Sequence, residues 1–177
     1  MIVFGFIIII IALVFTFYGI NNKPTKSTCV ADECLQVSGL EYPAGELPLG
    51  VKNSLDLAIM DEYKAHAFYQ RVIEKFGSVR PFSMIIRSEE QHISSLSSLY
   101  DKYGLEIPKD DLYEKISAPA TLNEACKAGV DAEIENADLY EKQLLPVVKS
   151  YPDITSIYNN LMIASRNKHL VAFQKCA

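Results

Sequence analysis

Beyond Leu49 this chain repeats apolar residues at spacings of three and four through four successive segments, a period that restricts it to packed helices. The first segment runs from Val51 to Phe76 with Leu55, Ile59, Tyr69, Ile73 and Phe76 on one stripe, and Gly77 stops it. The second starts near Ser78 and Pro81, carries Phe82, Ile85, Ile86, Ile93, Leu96, Leu99 and Tyr103, and ends at Gly104. The third opens on Thr121-Leu122-Asn123-Glu124, the spacing of a capping box, and carries Cys126, Val130, Ala137, Tyr140 and Leu144 before Pro146. The fourth follows Pro152 and presents Tyr158, Met162, Ser165, Ala172 and Phe173. All eight prolines lie before, between or at the ends of these segments, in keeping with the cost of about 3 kcal/mol for an interior proline. No strand-like alternation competes.

The connections sort the segments into two pairs. Short links after the first and third make antiparallel neighbours. The stretch from Gly104 to Ala120 instead holds Pro108 and Pro119, and about seventeen residues extended at about 3.3 Å each can return along the whole length of a bundle. The expected fold is all-α: a four-helix bundle over residues 49–177, built of two hairpins joined by one long crossover. Tyr69, Tyr103, Tyr140 and Tyr158 lie on or near the buried stripes as core residues with satisfied hydroxyls. Gly129 costs the third helix about 1 kcal/mol against alanine, so a close approach of helices is its reason.

Ahead of the domain, residues 2–20 carry no charge and are nearly all apolar. As a helix they span roughly 28 Å, close to one bilayer crossing. A cleaved signal peptide would need a basic region before the run and a small-x-small cleavage site after it, and neither is present. Residues 1–20 therefore read as a single-pass transmembrane anchor, and residues 21–48, rich in proline and glycine, as a flexible tether. Lys23 and Lys26 favour a cytoplasmic domain by the positive-inside rule. Four cysteines, Cys29, Cys34, Cys126 and Cys176, favour the other side if they form disulfides, the alternative being four free thiols. The expectation carried forward is an extracytoplasmic domain. A net charge of -5 and a pI near 5.2 leave no basic face for nucleic acid. The partners expected are the membrane, metal ions and a second copy of the chain in a homodimer.

Charged groups are rarely placed on a buried helix face without a partner or a metal, so the residues that break the apolar stripes are the informative ones. Glu62 falls in phase between Ile59 and Tyr69, with His66 four residues on. Glu89 and His92 fall between Ile86 and Leu96, Glu133 between Val130 and Ala137, and His169 between Ser165 and Ala172. Glu62 lies about fifteen residues before the first turn and Glu89 about twelve after it, so at 1.5 Å per residue their heights differ by only about 5 Å. Glu133 and His169 straddle the second turn similarly. Spacing of three puts Glu89 and His92 on one helix face.

This pattern resembles the ferritin-like superfamily, and within it an uncharacterised branch of rubrerythrin-like domains, the domain-of-unknown-function-2202 type, from roughly Leu49 onward. In such bundles a carboxylate from each of two helices and a Glu-x-x-His from each of the other two hold a pair of metal ions. Glu62 and Glu133 match the single carboxylates, and Glu89-Glu90-Gln91-His92 matches one Glu-x-x-His. The fourth helix departs from the pattern, because Arg166 stands three residues before His169, and a guanidinium has no lone pair for a metal. Turned inward, Arg166 would pair with Glu133 or Glu89 and make the bundle a metal-free binding or structural module. Turned outward, it would leave Glu62, Glu89, His92, Glu133 and His169 as ligands, with His66 as a substitute ligand or as the partner that orients Glu62. The resemblance implies a metal-binding protein, with iron ahead of manganese, acting as a di-iron oxidase or peroxidase or handling iron. Oxygen and nitrogen donors suit those ions.

Overall fold

The helical periods become helices at the expected places, and among the described residues there is no strand. The computed structural model of the protein describes residues 42–177. The anchor, the tether as far as residue 41, and Cys29 and Cys34 lie outside the described residues. Within them no helix is long and apolar enough to cross a membrane.

The first helix spans Leu49–Phe76 and the second Phe82–Tyr103. The third spans Leu122–Leu139 and runs on through a π-helical turn, Tyr140–Leu144, into Leu145–Val147. The fourth spans Pro152–Ala164 and runs on through a second π turn, Ser165–His169, into Leu170–Gln174. Gly104 closes the second helix in the left-handed conformation at φ 62°, which lets Leu105 N–H reach the carbonyl of Tyr100 at 2.9 Å. The capping box at Thr121 forms as its spacing predicts: Glu124 N–H donates to the threonine hydroxyl and Thr121 N–H to the Glu124 carboxylate.

The first helix packs along the second and the third along the fourth, while first against third and second against fourth close the four-helix arrangement. The long connection is bound to the first helix rather than left loose. Arg71 donates to the carbonyls of Tyr113 and Ile116 and stacks 3.7 Å over the Tyr113 ring. Lys75 donates to the carbonyl of Pro119, and the Tyr113 hydroxyl to Glu74. A short 3-10 turn, Tyr113–Lys115, supplies the bend that brings these groups over the helix.

Two apolar clusters fill the bundle. One gathers Leu55, Ile59, Leu96, Tyr140, Ile157 and Tyr158 with their neighbours; the other gathers Tyr69, Val72, Phe82, Ala125, Cys126 and Phe173. In the second, Cys126 and Cys176 form a disulfide that ties the third helix to the end of the fourth, so this pair does not follow the free-thiol alternative. Gly129 has the role expected of it: a Cβ there would lie 2.5 Å from the Phe173 ring. In sequence, Glu62 lies between Ile59 of one cluster and Tyr69 of the other, and the polar centre occupies that level.

Candidate metal centre

Each helix delivers one or two polar side chains to the level between the clusters. Glu62, Glu89, His92, Glu133 and His169 are each no more than 2% exposed. On the second helix, Glu89 and His92 sit three residues apart on the inward face, and His92 Nδ1 lies 2.9 Å from Glu89 Oε2 and 3.0 Å from Glu62 Oε2. His169 Nδ1 lies 3.2 Å from Glu89 Oε1 and 3.4 Å from Glu133 Oε2. Glu89 therefore presents one oxygen to each histidine. The result is two groups, Glu62 with Glu89 and His92, and Glu89 with Glu133 and His169, each with its ligating atoms within 4.8 Å of one another. The two imidazoles stack with centroids 5.5 Å apart.

Around this pair of groups the hydrogen bonds aim the ligand atoms inward. Ser88, buried, places its Oγ 3.2 Å from His92 Nε2 and 3.1 Å from His169 Nε2. A hydroxyl oxygen has two lone pairs, so Ser88 accepts from both rings when each carries its proton on Nε2, and both Nδ1 atoms then turn their lone pairs toward the carboxylates, where a cation would bind. That is the usual way an outer group fixes a ligand histidine. The Tyr140 hydroxyl donates to Glu62 at 2.8 Å, and Asn136 donates both to Glu62 at 3.2 Å and to Asp61 at 2.7 Å. Ser165 in turn donates to Asn136 at 2.7 Å. On the other side the Tyr69 hydroxyl donates to Glu133.

Ser88, Asn136 and Ser165 were not singled out by residue chemistry alone, and Tyr69 and Tyr140 only as core tyrosines. A signal existed for Asn136 and Ser165, since a polar residue on a buried stripe needs a partner. Nothing in one helix shows that a serine beside Glu89 sits between two histidines of different helices.

The fourth helix explains the arginine. In an α-helix the residue three before His169 would share its face. The π turn over Ser165–His169, with its wider i to i+5 ring, instead puts Ser165 with His169 in the interior, both 2% exposed or less, and turns Arg166 outward. Arg166 makes a two-pronged ion pair with Glu141, at 3.2 and 2.8 Å. The inward alternative, a guanidinium filling the centre, is thus corrected: no arginine enters it. His66 is corrected too, because its Nε2 faces Glu90 at 3.7 Å near the surface rather than holding Glu62. Its helical spacing allowed either neighbour, and the rotation of the second helix chose Glu90.

Three carboxylates in so dry a place require positive charge beside them. Burial disfavours the charged form of His92, yet Glu89 and Glu62 against its ring raise its pKa to about 10. Burial likewise works to raise Glu89, but His92 and His169 prevail and bring it down to about 2. Glu62 remains raised, by burial first, with His92 acting against the shift. Asp61 is raised to about 6 by burial and by the adjacent Glu62. The protonated His92 ring thus stands where a cation would, its Nδ1 directed at Glu62 and Glu89. The donor set of carboxylate oxygens and imidazole nitrogens, from all four helices, suits first-row divalent ions. The residues present fit such a group.

The fold and centre together define a helical bundle with a buried carboxylate and histidine cluster able to hold metal. Residues 53–176 match the family model described as "Uncharacterized protein domain (DUF2202)", and the chain belongs to that family. Among solved structures it is similar to the crystal structure of hypothetical protein MJ0754 from Methanococcus jannaschii DSM 2661, at 25% identity and a TM-score of 0.65, over 76% of this chain and 83% of that one. No curated protein matches.

Proposed function

We propose that this protein is a membrane-anchored, ferritin-like metalloprotein that holds two iron ions in the bundle. Glu62, Glu89 and His92 would hold one ion and Glu89, Glu133 and His169 the other, with Glu89 common to both. The observation that carries this reading is the convergence of those five buried side chains into two ligand groups that share one carboxylate, and the placement of Arg166 outside it. When bound, a pair of redox-active ions supplies two-electron reduction of dioxygen or peroxide. This chain's own residues hold the ligands in place: Ser88 would accept from Nε2 of both histidines and leave their Nδ1 atoms to the ions, Asn136 and Tyr140 fix Glu62, and Tyr69 fixes Glu133.

The Cys126 to Cys176 disulfide supports an oxidising, extracytoplasmic location for the bundle, with residues 1–20 as the anchor. The test is to purify the full chain, load it anaerobically with Fe(II), desalt it, and quantify metal and protein. Two ions per chain are expected, together with a rise in thermal midpoint that a chelator reverses. Metal content near zero and a midpoint indifferent to chelator would overturn the proposal.

A further inference from the structure

The two halves of the centre do not meet the outside equally. Between the first and third helices, beneath the crossover, lies a cavity of about 300 Å³. Its inner end is formed by the buried Glu89 and Glu133, with Tyr69 beside them. Its walls are apolar, with Phe68 from the first helix, Ile116 from the crossover and Ala132 from the third helix. Its exposed lining is polar: Asp131, Glu135 and Lys64, whose Nζ is 3.6 Å from Glu135, with the half-buried Asp61 and its donor Asn136 behind them. Lys64, Asp131 and Glu135 are exposed, so one continuous space joins solvent to the Glu133 half of the centre. Glu62 and His92 are not among the residues that line it.

We infer that this cavity is the route by which divalent cations reach the centre, and that they meet the Glu89 and Glu133 carboxylates first. The inference rests on the metal-binding reading above. Two exposed carboxylates, Asp131 and Glu135, against one lysine raise the local concentration of cations at the mouth. At about 300 Å³ this throat has room for an ion with several of its waters, and the buried anionic oxygens among its lining residues belong to Glu89 and Glu133. Because Glu89 also faces His92, an ion held there is already at the shared ligand, and the Glu62 half fills through it. Small alanines on the third helix, Ala128 and Ala132, keep the throat open.

The test uses the full chain and Co(II) alone, followed by its visible absorption after rapid mixing. Ala132→Phe places a ring in an existing void, and uptake should slow about tenfold or more while the equilibrium affinity changes less than about threefold, the signature of a blocked path rather than a lost ligand. Asp131→Asn with Glu135→Gln, both at exposed positions, should slow uptake about threefold at low ionic strength, and the difference should vanish near 0.5 M salt, where exposed charges are screened. This second variant decides the matter if the first fails to fold. Uptake rates equal to wild type in the variants, with Co(II) still bound at equilibrium, overturn the route and leave the metal centre standing. A wild-type chain that takes up no Co(II) at equilibrium overturns both.

Discussion

The Glu62 half and the Glu133 half of the centre use the same ligand types but are built into different surroundings. Glu62 receives two donors, from Tyr140 and Asn136, and Tyr140 stacks edge-on against Tyr158 in the first apolar cluster. Glu133 receives one from Tyr69, whose ring leans on Phe82 and Phe173 in the second cluster, the one closed by the disulfide. Glu133 itself lines the cavity, whereas Glu62 and His92 do not and stand behind Asn136 and the shared Glu89. One half is held by a polar network reaching Ser165 on the fourth helix; the other is held by aromatic packing and a covalent tie. Like side chains in unequal surroundings give two groups of unequal accessibility, and Glu89 belongs to both.

That contrast can be broken most severely at Glu89. Glu89→Ala should release both ions on desalting, whereas Glu62→Ala and Glu133→Ala should each leave more metal than Glu89→Ala does; metal analysis of the three variants decides whether the halves share a ligand. Reducing the disulfide, whose partners are 50 positions apart, should cost up to about 4 kcal/mol of stability on the chain-entropy account. Urea unfolding with and without reductant measures it, and the loosening should weaken the Glu133 half more than the other. Gly129→Ala should cost about 1 to 2 kcal/mol by pushing on the Phe173 ring that supports Tyr69, read as a lowered thermal midpoint. Tyr69→Phe should lower affinity for one ion about tenfold. Tyr140→Phe should lower the other less, because Asn136 still donates to Glu62; competition with a chelator resolves the two. Smallest of all is Arg166→Glu, which should leave metal content unchanged because position 166 faces Glu141 outside the bundle. A gain of metal there would mean that the π turn is not kept in solution.

Much of this was legible beforehand because helical phase is a local property. Glu62, Glu89, His92, Glu133 and His169 could be picked from spacing because each interrupts an apolar stripe, and a stripe buried against any partner buries whatever lies within it. Gly129 and the Thr121 cap were legible for the same reason: glycine is costly in a helix unless something approaches closely, and the cap is closed within four residues. His66 misled because its spacing from Glu62 permits contact without requiring it. Arg166 is ambiguous from spacing because a continuous α-helix would bring it to the His169 face, and the π turn over Ser165–His169 does not.

The sequence by itself determined four helices, their ends, the single long crossover and the five inward-facing glutamates and histidines, since each follows from hydrogen bonds and apolar periods a few residues long. Tertiary structure alone decided that Arg166 turns away, that Ser88 stands between His92 and His169, and that one half of the centre borders a cavity. Those outcomes depend on how far each helix is rotated against its neighbours. A π turn carries one more residue than the α pattern and shifts the phase of everything beyond it, so which residue turns outward, here Arg166, follows from the packing of whole helices.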